Sequence, residues 1–116
     1  IKSNIISHME VIGEVKGKNV VLVDDMVDTA GTLTKAADLM IERGAKSVRA
    51  ICTHAILSGN AVEKIENSSL LELIVTDSIP SRQSSQKIRV LSCAPLFSEV
   101  MKNVHNNLSI SSNFIT

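Results

Sequence analysis

Asp24 and Asp25 stand side by side after an apolar run, Val20-Val21-Leu22-Val23, and a third carboxylate, Asp28, follows shortly. Next come Thr29-Ala30-Gly31-Thr32 and the start of a helical pattern. Carboxylates in this setting can accept hydrogen bonds from sugar hydroxyls or hold a divalent cation through oxygen. Ala30 and Gly31 are small enough for backbone N–H groups to approach a phosphate. The first N–H groups of a helix have no partner inside it, and the helix dipole adds partial positive charge there. Thr29 and Thr32 add hydroxyl donors. Phosphate at one end and hydroxyls at the other describe a sugar phosphate. A plainer reading stands beside this one: aspartates end strands and start turns, and Asp28 or Thr29 simply caps the helix. The pattern is neither a Walker loop nor G-x-G-x-x-G, because no lysine follows the glycine.

The elements that must position these residues follow from hydrophobic patterning. His8–Ile12 suggests a short strand, and Lys16-Gly17-Lys18-Asn19 is a turn signal. Asn19–Val23 is β-branched, continuous and apolar, as expected of a strand covered on both faces, so the acidic pair falls at its carboxyl end. Thr32–Arg43 predicts a helix whose apolar face is Leu33, Ala36, Ala37, Met40 and Ile41. Gly44 ends it in the left-handed conformation. Ser47–Thr53 is the next strand, so the three form a βαβ unit. Ala61–Asn67 is a short helix with Ser58 or Asn60 as its cap. Leu70–Thr76 is a third strand, Asp77–Lys87 a polar loop, and Ile88–Ser92 a fourth strand nearer an edge. Pro95 suits the first turn of a last helix, with Leu96, Phe97, Val100, Met101 and Val104 as its stripe. The tail, Leu108–Thr116, is a last strand or a docked loop. Strands alternating with helices predict an α/β fold with a mostly parallel sheet flanked by helices, and ligands in such sheets bind beyond the carboxyl ends of the strands.

Composition narrows the function. With 116 residues the chain holds one small domain, residues 1–116, and 44% hydrophobic content is enough for a core. Only 2% is aromatic, which removes stacking platforms for bases. The formal net charge is +0 with 12 basic and 12 acidic residues, which disfavours nucleic acid and membrane surfaces as partners. No apolar run approaches the ~18 residues of a membrane span. Cys52 and Cys93 lie far apart in apolar stretches, as expected of buried free thiols in a reducing cytoplasm. His54 follows a strand and faces the same end of the sheet as the acidic pair, but a hydrogen-bonded structural histidine is the plainer reading. His8 and His105 read as surface residues. Arg82 and Lys87 could meet anions, with solvated charge as the default.

The stretch Val21–Thr32 resembles the phosphoribosyl-diphosphate motif of type I phosphoribosyltransferases. Its flanks narrow the resemblance. Thr53–Ala61, Val75–Pro80, Val90–Leu96 and Ser109–Phe114 are similar, in order, to the C-terminal half of the ribose-phosphate pyrophosphokinase family, over nearly the whole chain from about Val11. The resemblance implies a type I phosphoribosyltransferase-like fold and transfer of diphosphate from ATP to the anomeric hydroxyl of ribose 5-phosphate, with Mg2+. It implies that Asp24 holds ribose hydroxyls, that Asp25 supports it directly or through metal-bound water, and that Asp28, Thr29, Ala30, Gly31 and Thr32 cradle the 5-phosphate. It also implies a homo-oligomer, commonly a hexamer, and a phosphate or ADP regulatory site to which Ser109, Ser111, Ser112 and Phe114 contribute. An ordinary flexible terminus is the alternative for that tail.

The family's N-terminal domain, and the loop whose lysine and arginine steady the transferred group, have no counterpart here. No catalytic residue is therefore assigned, and the isolated chain is expected to bind ribose 5-phosphate weakly and catalyse nothing. Two rivals remain open. A purine or pyrimidine phosphoribosyltransferase shares Asp24–Thr32 but needs a hood over its base. A non-catalytic regulatory relative keeps the fold and assembles with the active enzyme.

Overall fold

The β-branched and aliphatic residues from Asn19 to Val23 favour extended backbone. The strand they begin, β1, runs Asn19–Val27, further than the apolar run alone predicts. The structure, a computed structural model, describes residues 9–114. In chain order the remaining elements are α1 (Gly31–Glu42), β2 (Ser47–Ala55), α2 (Ala61–Glu66), β3 (Glu72–Thr76), β4 (Ile88–Leu91) and α3 (Ala94–His105), then a 3-10 turn at Ser111–Asn113. The strands form one sheet in the order β1-β2-β3-β4, and all three pairings are parallel. This is the parallel α/β sheet predicted from the sequence, with β4 at an edge as expected.

Three expectations change. Asp24 and Asp25 lie inside β1 rather than beyond it, because pairing with β2 continues through Met26↔His54 and Val27↔Ala55. The short strand at His8–Ile12 lies partly outside the described residues, and Met9–Ile12 is not strand. The tail forms a 3-10 turn in place of a strand.

The larger correction concerns β1, which is an edge strand covered on one face only. Alternation along a strand sends successive side chains to opposite faces. Val48, Ala50 and Cys52 of β2 and Leu73 and Val75 of β3 meet Leu33 and Ala37 of α1 and Ala61 and Ile65 of α2 in one buried core. The opposite face is bare: Val23 is 77% and Val21 52% exposed, with Ile51 beside them. Near its amino end the same face carries Glu72 Oε1, which accepts from Arg49 Nε at 3.2 Å and faces Arg89 Nη2 at 3.6 Å. Such open pairs add little stability. Helix α3 has the expected apolar stripe and the expected proline in its first turn, but none of its residues is buried. Among the described residues, no helix is long and apolar enough to cross a membrane.

Helix α1 starts and stops where local chemistry demands. Gly44 takes a φ of +91° just past its end, as predicted, and its N–H donates to Ile41 O at 2.9 Å. In turn Gly44 O accepts from Gly17 N at 2.8 Å, so the two turns at the amino end of the sheet are tied together. The helical stripe missed Thr34, which is buried and bends its hydroxyl back to Ala30 O at 2.8 Å.

One-sided coverage has a measurable consequence. Leu73→Ala should cost about 2–5 kcal/mol in urea unfolding of the 116-residue chain, because it leaves a hole in the core, where Leu73 is fully buried. Val23→Ala should cost no more than about 0.5 kcal/mol, as for an exposed position. Comparable losses at the two sites would mean that the outer face of β1 is covered.

Candidate functional site

The carboxyl end of β1 delivers Asp24 and Met26 to a concavity of about 220 Å³ closed by Val27, Asp28, Thr29, Ala30, Gly31, Thr32 and Leu33. The loop of three residues between β1 and α1 turns sharply because Ala30 adopts a φ of 62° and ψ of 6°. A left-handed alanine is unfavourable by roughly 1–2 kcal/mol, and such strain persists only where the surroundings enforce it. Here Ala30 is buried in the core, and its carbonyl accepts both from Thr34 N, at 3.0 Å, and from the Thr34 hydroxyl.

No side chain caps α1. The expectation that Asp28 or Thr29 would do so is not met, and Ala30 holds the capping position. Among the described residues no group accepts from the N–H of Gly31, Thr32 or Leu33. The residues that carry these donors line a concavity that the exposed Asp24 also lines. Donors for an anion and an acceptor for hydroxyls thus face one small space.

The predicted site residues are not all brought together in the same way. Asp24, Asp28, Thr29, Ala30, Gly31 and Thr32 share the concavity, whereas Asp25 is not among its walls. The ladder between β1 and β2 skips Asp25 and Thr53, and the Asp25 N–H donates to Asp24 Oδ1 at 2.9 Å, fixing that carboxylate's orientation. Asp28 turns its carboxylate to the β2–α2 loop, where the Ser58 hydroxyl donates to Oδ1. Ser58 or Asn60 was expected to cap α2. Asn60 occupies that place, without a side-chain bond. The Ser58–Asp28 contact joins residues 30 apart in sequence, so no local pattern signals it.

A larger cleft, about 380 Å³, lies beside this one between the β2–α2 and β3–β4 loops. Ile56, Leu57, Val62, Ile79 and Pro80 make much of its wall, with Arg82 at the rim. Volume favours this cleft, but the converging donors and carboxylate are at the smaller one. Chemistry is the better guide to the site.

His54 is exposed and its Nδ1 lies 2.9 Å from Ser78 Oγ. Ser78 gives its one hydroxyl proton to Thr53 O at 3.1 Å, so His54 Nδ1–H is the donor of the pair. This is the hydrogen-bonded structural histidine of the plainer reading. Lys87 is likewise occupied, donating to Ser68 O at 2.8 Å. His105 is exposed at the end of α3, and His8 lies outside the described residues.

Both cysteines are free, but only Cys52 is buried. Burial, with the Asp24 charge second, pushes its thiol up. Cys93 is not in a strand. It holds the N-cap position of α3, where its N–H at 2.8 Å and its thiol at 3.0 Å both donate to Asp77 Oδ1. Those bonds, with one from Ser92, bring the Asp77 carboxyl from 3.8 down to about 2, and the same bond to Asp77 raises the Cys93 thiol. Neither thiol is built as a nucleophile. In the tail, Ser109 Oγ and Ser111 Oγ lie 2.7 Å apart, Ser112 follows in the 3-10 turn, and Phe114 is 64% exposed.

Comparison with known proteins identifies the family. The family profile described as the phosphoribosyl synthetase-associated domain matches residues 2–115. The ribose-phosphate pyrophosphokinase of Wolinella succinogenes is 51% identical over 114 residues, which is 98% of this chain and 37% of that protein. Its counterpart in Campylobacter jejuni is 53% identical over 114 residues, with the same shares. The crystal structure of phosphoribosylpyrophosphate synthetase from Mycobacterium smegmatis superposes with a TM-score of 0.80 at 39% identity, over 83% of this chain and 33% of that one. The chain thus spans about a third of the length of the relatives it matches.

The contact between Asp77 and Cys93 predicts a pH dependence. A carboxyl held below its ordinary value contributes stability that is present above 3.8 and is lost as pH falls through about 2. The thermal midpoint should therefore fall across that window, and fall less in Asp77→Ala. Equal slopes for the two proteins would show that this contact adds no stability.

Proposed function

The chain belongs to the phosphoribosyl synthetase-associated domain family, and on that premise we propose that it is the C-terminal domain of a ribose-phosphate diphosphokinase and binds that enzyme's ribose 5-phosphate. The full-length enzyme transfers diphosphate from ATP to the anomeric hydroxyl, giving phosphoribosyl diphosphate and AMP. The observation that carries this reading is the concavity that Asp24 shares with Gly31, Thr32 and Leu33, whose N–H groups are unpartnered. Those amides, with the exposed hydroxyls of Thr29 and Thr32, donate to the 5-phosphate. Asp24 accepts from the ribose hydroxyls, and Asp25 supports it from the backbone. The work of such a site is positioning and charge complementarity, with no protein nucleophile.

Mg2+ fits the same residues. No three His, Cys, Asp or Glu side chains converge on one point among the described residues. Magnesium needs only one or two carboxylates when substrate oxygens complete its shell, and the exposed Asp24, which lines the concavity, meets that demand. When bound, the ion would neutralise charge on the phosphate oxygens.

The bare sheet face and the unburied stripe of α3 support a larger polypeptide and a homo-oligomeric assembly such as a hexamer, because apolar patches of this kind mark interfaces. The exposed serines and Phe114 of the tail fit a role in phosphate or ADP regulation. Two free thiols fit a reducing cytoplasm.

Titration calorimetry of the full-length protein tests the site. Asp24→Ala should weaken ribose 5-phosphate binding at least about tenfold, the loss expected when hydrogen bonds to a charged group disappear. Gly31→Val should fold, because a Cβ there meets only Thr29 Oγ1, at 3.9 Å, yet crowd the amides and weaken binding similarly. Unchanged affinity in both variants, or no AMP formed from ATP and ribose 5-phosphate by the unsubstituted protein, would overturn the reading.

A further inference from the structure

The loop proposed to carry the 5-phosphate does not hold its own shape. It is clamped from outside by the segment leaving β2. Ile56 N and Leu57 N both donate to Val27 O, at 3.0 and 3.1 Å. Ser58 N donates to Asp28 O at 3.1 Å, and the Ser58 hydroxyl donates to Asp28 Oδ1. Lys64, one turn into α2, donates through Nζ to Thr29 O at 3.3 Å. Leu57 takes a left-handed φ of 51° to make these bonds possible, a strained choice for a branched side chain.

The clamp reassigns Asp28. An ionised carboxylate accepts hydrogen bonds and cannot donate them, so Asp28 cannot hold a phosphate dianion. Left free beside the α1 amides, its charge would repel one. Bonded to Ser58, it has a partner in the β2–α2 loop and braces the turn instead. We infer that Ser58, aided by Lys64, is a positioning residue for ribose 5-phosphate: it draws the Asp28 carboxylate aside and sets the loop so that the N–H groups of Gly31, Thr32 and Leu33 converge. This rests on the site proposed above.

Steady-state kinetics of the full-length enzyme test it. Ser58→Ala should raise the KM for ribose 5-phosphate about tenfold and leave the KM for ATP unchanged, because the bond it loses acts on the loop beside the amides. Ser58→Thr, which keeps the hydroxyl, should restore most of the loss, and Lys64→Met should raise the same KM about threefold. An unchanged KM for ribose 5-phosphate in Ser58→Ala, while the unsubstituted enzyme binds that sugar, overturns the inference alone. A lowered midpoint and kcat with KM untouched would assign Ser58 a merely structural role and also overturn it. Failure of the unsubstituted enzyme to bind ribose 5-phosphate removes the site and the clamp together.

Discussion

Parallel register between β1 and β2 is the constraint on which the rest depends. Their pairing runs from Asn19↔Ser47 to Val27↔Ala55. Two loops must therefore leave the sheet side by side at its carboxyl end. One carries Asp28, Thr29 and Ala30 into α1, and the other carries Ile56, Leu57 and Ser58 toward α2. Val27 O, at the end of the ladder, accepts from both Ile56 and Leu57. A shift of register would separate Ser58 from Asp28 and leave the first loop without its support.

The same geometry explains why an alanine can hold a left-handed cap. Ala30 is buried, its carbonyl is engaged twice by Thr34, and the loop before it is held by Ser58 and Lys64. Together they outweigh a local cost of roughly 1–2 kcal/mol. The outcome is a helix start whose first amides have no internal partner, beside a carboxylate fixed in orientation by the next residue's N–H. Strain, exposed donors and charge occur together where the chemistry is proposed, as functional sites commonly arrange.

Much of this was legible in the residues. The strand–helix alternation, the left-handed Gly44, the edge position of β4 and the approximate span of every helix follow from hydrophobic period, glycine and proline alone. Boundaries erred where pairing overrode composition. Asp24 and Asp25 have poor strand propensity, yet they extend β1 because β2 offers a continuous ladder. Thr34 was missed because a hydroxyl does not register as apolar, although its bond to Ala30 makes burial acceptable. The apolar run of β1 suggested burial on both faces, but an apolar run reports only that a surface can be covered, and α1 and α2 both lie on the other side.

By itself the sequence determined the element order, the parallel α/β class and the adjacency of carboxylates, small residues and a helix start, since all of these depend on neighbours a few positions apart. Only the tertiary structure decided that Asp24 shares a concavity with the free amides, that Asp28 accepts from Ser58, and that Asp77 accepts from Cys93. The last two of those facts join residues 30 and 16 positions apart. Such contacts exist only once the sheet has closed the intervening loops, and no local periodicity encodes them.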